Sequence, residues 1–186
     1  VIDPASADTA IFYSISNAQK GLAGISFGNF LIKGVVNSLA AEFAGLKTFA
    51  TLSPLPGFRA WLNKRLAEGD KDLLTPSDRK GLKAVGAKSG GAKGKLKALL
   101  EDSGWPDDEQ AADALYAPLM RLAAQYLSRE KMRQGGLRAL DPVAHFHLSN
   151  GARIQRLNWL GDRSPKGLGQ SAGIMVNYLY KLSHVE

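Results

Sequence analysis

Three short segments carry side chains and backbone that could do chemistry. The first is Gln19-Lys20-Gly21-Leu22-Ala23-Gly24, placed between an expected strand and an expected helix. Free N–H groups and the helix dipole favour an anion at such a junction, and a pyrophosphate fits. Gly21 and Gly24 allow close backbone approach. The spacing matches neither the dinucleotide fingerprint nor a Walker loop, so a plain glycine-containing connection fits the residues equally well. The second is Ser53, expected directly after a strand, where open α/β sheets bind ligands, and backed by Pro54 and Pro56. It reads either as a reactive hydroxyl or as a turn serine bonded to its own loop, and it lacks the G-x-S-x-G elbow of a hydrolase. The third is His145 and His147 around Phe146. On an extended segment both imidazoles share one face and exchange protons near neutral pH, although a single histidine is by default structural.

The elements that must position these groups follow from periodicity. Residues 10–16 (AIFYSIS) read as a strand whose apolar character suits the inside of a sheet, with neighbouring strands expected upstream. Phe27, Phe30, Leu31, Val35, Leu39 and Phe43 recur at helical spacing after Ser26, a fitting N-cap, and the helix should end near Gly45. Leu46–Leu52 then reads as a second strand stopped by Ser53-Pro54-Leu55-Pro56-Gly57. Strand, helix and strand make a parallel crossover. Residues 58–67 are amphipathic, and 70–134, rich in Ala, Leu, Lys and Gly, read as a helical insertion. Within it Lys88–Lys95 reads as a solvated basic loop, a phosphate contact being the lesser alternative, and Trp105–Glu109 as a helix start. From Asp141 the alternation around Asn150-Gly151 suggests a hairpin, and residues 173–182 a further strand.

Composition bounds the rest. The 186 residues, 45% hydrophobic and 22% charged, suit one domain with a real core. No apolar run suffices to cross a bilayer and the first ten residues lack signal-peptide character, so a cytoplasmic location without membrane attachment is expected. The absence of cysteine excludes disulfides, thiolate zinc sites and a cysteine nucleophile, and three histidines make a structural metal site unexpected. A formal charge of +7 attracts any polyanion, nucleotide or nucleic acid alike.

FYSISNAQKGLAGISFGNFLIK, LKTFATLSPLPGFRAWL and DPVAHFHLSNGARIQRLNWLGDRSPKGLGQSAGIMVNYLYKL, in that order, closely resemble the catalytic domain of the malonyl-CoA decarboxylase family. The resemblance covers residues 10–67 and 140–182 well and the helical insertion more loosely. The family's N-terminal helical domain and the opening strands of its catalytic domain have no counterpart here. It implies an α/β (α+β) fold like that of the GNAT acyltransferases, a mixed sheet truncated at its N-terminal side and interrupted by a helical insertion. Gln19–Gly24 would hold the coenzyme A pyrophosphate. The family's serine, histidine and tyrosine fall on Ser53, His147 and Tyr180.

The implied reaction converts malonyl-CoA to acetyl-CoA and carbon dioxide by enolate stabilisation. Ser53 would orient the malonyl carboxylate and His147 would protonate carbon as a general acid with a pKa near the operating pH, with Tyr180 positioning either. Coenzyme A is part of the substrate, and neither metal nor biotin is called for. A homo-oligomer is expected, with malonyl-CoA and acetyl-CoA as its small-molecule partners. Animal members carry a glutamate where Ser26 stands, so a carboxylate role there does not carry over. They also end in a peroxisomal signal and form disulfides between subunits, whereas this chain ends His184-Val185-Glu186 and has no cysteine, closer to bacterial-type members. The competing functions are a CoA-dependent N-acyltransferase, a serine hydrolase and a basic nucleic-acid-binding module, the last lacking any recognised motif.

Overall fold

The computed structural model describes residues 6–13, 28–85, 91–132 and 138–180. It divides into two compact units, one of Val1–Ser53, Val143–Arg156 and Val176–Glu186, the other of Pro54–Pro142 and Leu157–Met175.

The first unit is built on a four-stranded sheet. Strands β1 (Thr9–Tyr13), β2 (Thr48–Pro54), β3 (Arg153–Asn158) and β4 (Met175–Tyr180) lie in the order β1-β2-β4-β3. β1 and β2 are parallel, registered from Thr9 opposite Thr48 to Tyr13 opposite Leu52. Helix α1 (Gly28–Glu42) provides the crossover that parallel neighbours require, and it buries Ile32 and Val36, one turn apart. Alternation governs the strands, as a period of two demands: Phe49, Thr51 and Ser53 are buried on β2, and Val176, Tyr178 and Tyr180 on β4.

Three expectations need correcting here. Among the described residues β1 is an edge strand rather than an interior one, with Ile11 46% and Tyr13 73% exposed. The second strand extends through Ser53 to Pro54, because proline at the end of a strand sacrifices only a donor the ladder no longer needs. The expected hairpin around Asn150-Gly151 is instead helix α6 (Pro142–Ser149) followed by β3. Pro142 occupies the first helical position, where its missing N–H costs nothing. Gly151, at φ 80°, ends the helix, its N–H bonding Leu148 O while that of Ala152 bonds His147 O. A glycine with positive φ serves a helix terminus as readily as a hairpin turn, and local sequence does not separate the two.

The second unit is helical: α2 (Phe58–Ala67), α3 (Pro76–Ala84), α4 (Ala92–Glu101), α5 (Glu109–Arg129) and α7 (Pro165–Ser171). Thr75 and Asp78 form a capping box at the start of α3. Burial alone would raise the Asp78 carboxyl, but hydrogen bonds from Thr75 and Arg121 outweigh it and hold it below the usual carboxylate range. On α5, Leu115, Leu119, Leu122 and Tyr126 follow the helical period into the core. The basic tract is partly helical, since α4 begins at Ala92, and Lys95 Nζ donates to the carbonyls of Lys83 and Val85 at 2.9 and 3.3 Å. That lysine therefore closes the C-terminal end of α3. Residues 88–90 of the tract lie outside the described residues.

Phe58, Trp61 and Tyr126 pack with ring centroids 5.4–6.0 Å apart. Burial, reinforced by the Asp141 carboxylate, raises the Tyr126 phenol, which keeps its proton and donates to Asp141 at 3.3 Å. The Gly57 N–H reaches the same oxygen at 3.4 Å. A Cβ at Gly57 would run into the Tyr126 hydroxyl, which its hydrogen bond to Asp141 holds in place. Gly57→Ala should cost about 1–3 kcal/mol by overpacking. Adding Tyr126→Phe, which removes the obstructing oxygen, should make the double substitution cost less than the two single ones together, as read by urea denaturation.

Candidate active site

Ser53, His147 and Tyr180, separated by 94 and 33 positions in sequence, come together in the sheet-containing unit. Ser53 Oγ lies 3.1 Å from His147 Nε2, and His147 Nδ1 lies 2.9 Å from the Tyr180 hydroxyl. All three are buried, Ser53 5%, His147 2% and Tyr180 3% exposed. Each is delivered by a different element. Ser53 stands on β2 one residue past Leu52, the last position paired with β1, and so at the carboxyl end of the parallel pair. Tyr180 is the last residue of β4. His147 lies in the last turn of α6. Because that segment is helical, His145 and His147 are about 200° apart around the axis and do not share a face; only His147 is buried.

The imidazole is clamped by rings. Tyr178 stacks on it with centroids 4.5 Å apart and planes 26° from parallel, and Phe146 meets it edge-on at 5.1 Å. Burial pushes the His147 pKa down to about 4. A helix C-terminus favours the cation, but desolvation of the whole ring is the larger effect. In place of the expected group titrating near neutrality, His147 is neutral at pH 7. Burial also raises the Tyr180 phenol, so that hydroxyl holds its proton and can donate to Nδ1. The distances alone fit either neutral tautomer; with Tyr180 donating to Nδ1, Nε2 carries the proton toward Ser53 Oγ. Ser53 in turn donates to Thr51 Oγ1 at 3.0 Å. In that tautomer one direction of donation runs from Tyr180 through His147 and Ser53 to Thr51.

Thr51 and Tyr178 belong to this cluster and the sequence reading did not single them out. The available signal was the period of two: once Ser53 is placed inside the strand, Thr51 falls on its face, as Tyr178 falls on that of Tyr180. Gln19, Lys20, Gly21, Leu22, Ala23 and Gly24 lie outside the described residues, as does Ser26. Among the described residues, no group of three or more His, Asp or Glu is arranged to hold a metal ion, and no helix is long and apolar enough to cross a membrane. The helical unit contains a separate cavity of about 720 Å³ lined by Trp61, Tyr126, Lys64, Arg65, Glu130 and Lys131 among others; none of the sequence-derived site residues lines it.

Comparison with known proteins follows the same residues. Residues 1–186 match the profile of the malonyl-CoA decarboxylase C-terminal domain. The mitochondrial malonyl-CoA decarboxylase of Anser anser anser is 47% identical over 179 residues, 94% of this chain and 34% of the goose protein. That of Rattus norvegicus is 48% identical over 178 residues, 93% of this chain and 35% of the rat protein. Among crystal structures, malonyl-CoA decarboxylase from Rhodopseudomonas palustris superposes with a TM-score of 0.81 at 49% identity, covering 99% of this chain and 38% of that one. The protein from Agrobacterium vitis gives 0.82 at 49% identity, covering 98% and 41%. The chain thus spans about a third of the length of the curated relatives it matches. Because the match takes in residues 1–186 of the chain, the chain belongs to the malonyl-CoA decarboxylase C-terminal domain family.

Proposed function

We propose that this chain is the catalytic portion of a malonyl-CoA decarboxylase, a carboxy-lyase that converts malonyl-CoA and a proton to acetyl-CoA and carbon dioxide. Ser53 and His147 act as its catalytic residues, and Tyr180 holds the imidazole. The observation that carries this is the buried hydrogen-bonded run from Ser53 Oγ through both His147 nitrogens to Tyr180. The fold is read as GNAT-like. The parallel β1–β2 pair, the α1 crossover and the strand order β1-β2-β4-β3 support this. Gln19–Gly24, in the connection after β1, would bind the pyrophosphate of coenzyme A through backbone N–H groups.

Decarboxylation needs the breaking C–C bond held perpendicular to the thioester plane, so that its electrons pass into the carbonyl π system as carbon dioxide leaves. The Ser53 hydroxyl, turning its proton from Thr51 to the malonyl carboxylate while the Thr51 hydroxyl donates to Ser53 Oγ in its place, fixes that orientation without covalent attack. An arriving carboxylate favours the imidazolium beside it. His147, neutral beforehand, therefore takes up a solvent proton as substrate binds. The Tyr180 oxygen changes from donor to acceptor to accommodate protonated Nδ1, as a phenol can. When carbon dioxide departs, the enolate is the strongest base present, and the Nε2 proton passes to its carbon. A desolvated setting strengthens each of these electrostatic steps, and the chemistry as written calls for neither metal nor biotin.

Incubation with malonyl-CoA and no acceptor tests the reading. Acetyl-CoA and carbon dioxide in equal amounts are expected. Acyl transfer only when an amine is supplied would make the protein an N-acyltransferase, and free malonate would make it a thioester hydrolase.

A further inference from the structure

We propose that Thr51 is a positioning residue for the reaction, setting the rotamer and the proton direction of Ser53; this rests on the assignment of Ser53 and His147 above. Thr51 is fully buried in a polar cluster that apolar packing alone does not explain. Its Oγ1 accepts from Ser53 Oγ at 3.0 Å and from the Tyr178 N–H at 3.3 Å, and its carbonyl accepts from Asn177 Nδ2 at 2.7 Å. The hydroxyl and the carbonyl of Thr51 are thus held by consecutive residues of β4, the strand that also carries Tyr180 and the Tyr178 ring stacked on His147. A single hydroxyl therefore joins the strand bearing the serine to the strand bearing the histidine's neighbours.

The direction of donation gives this contact a chemical consequence. With its proton committed to Thr51, Ser53 offers lone pairs to His147, and the imidazole must carry its own proton on Nε2, the nitrogen facing the substrate carbon in the proposed reaction. Without the Thr51 hydroxyl, Ser53 would turn its proton onto Nε2. The imidazole would then hold its proton on Nδ1, leaving the serine–imidazole pair in the orientation of an activated nucleophile. Thr51 thereby keeps the pair set for proton delivery rather than for attack on the thioester.

Two measurements test this. In the unsubstituted protein, ¹⁵N shifts of the His147 ring should report the Nε2-protonated neutral tautomer at pH 7; an Nδ1-protonated ring overturns the proposal, whatever any variant does. Thr51→Val, which keeps the shape and removes the hydroxyl, should lower kcat roughly tenfold, the worth of one buried hydrogen bond. KM for malonyl-CoA should move little and the tautomer should shift to Nδ1. Thr51→Ser should restore both kcat and tautomer. Full activity in a folded Thr51→Val, with Ser53→Ala and His147→Gln inactive, would overturn the role of Thr51 alone. Retained activity in those two variants would instead remove the assignment it rests on.

Discussion

Replacing His147 by Gln is expected to slow carbon dioxide release from malonyl-CoA by ~10²–10⁴-fold, the range that a positioned proton donor contributes. Gln is close in size and can hydrogen-bond toward Ser53 and Tyr180, so the pocket stays filled while the titrating group is lost. The burden should fall on kcat, because in the proposed reaction the interaction removed is made at the protonation step and not in binding coenzyme A. Carbon dioxide release under saturating malonyl-CoA, followed beside acetyl-CoA formation, measures it directly. Unchanged release would show that the enolate takes its proton from elsewhere. Proton uptake on binding is the companion observable: at pH 7 the unsubstituted protein should absorb a proton from a weakly buffered solution when a non-decarboxylating malonyl-CoA analogue binds, and His147→Gln should not.

The second large effect is on stability. His147 is neutral in the fold, with its pKa pushed down to about 4 by burial from an ordinary 6.5. Between those values the unfolded chain binds a proton that the folded one does not, so folding stability rises with pH across that interval. The contribution is complete above about pH 6.5 and is lost as pH falls through about 4. The gap corresponds to about 3 kcal/mol, a large share of the ~5–15 kcal/mol that holds most domains together. Urea midpoints measured from pH 7 to pH 4 should therefore decline, and His147→Gln should flatten that part of the profile. The Asp78 carboxyl, held low by Thr75 and Arg121, acts in the same sense at more acid pH. An identical slope in both proteins would mean that the buried imidazole is not the group responsible.

Both expectations depend on a site that sequence pattern disclosed only in pieces. The β-rich run ending at Ser53, the amphipathic stretch that became α2 and the apolar period of α5 were legible because each is enforced locally, by side-chain alternation or by 3.6-residue recurrence. The α2 boundaries, Phe58–Ala67, coincide with those read from residues 58–67. The motifs around Ser53, His147 and Tyr180 likewise pointed to the family, since residue types in order are what a family preserves.

Other features were decided by tertiary structure. His147 sits on a helix, although its neighbours alternate like a strand, because Pro142 starts a helical turn and the segment's apolar residues are satisfied by three-dimensional packing that no local period encodes. The neutrality of that imidazole is a property of what covers it, the Tyr178 and Phe146 rings, and burial is not written in any neighbouring residue. Thr51 became visible only when two strands distant in sequence were laid side by side. The chain's own residues determined which groups could do chemistry and which local elements would carry them; distances, desolvation and the direction of each proton arose from bringing remote segments into contact, because hydrogen bonds and dielectric depend on position in space and not on spacing along a chain.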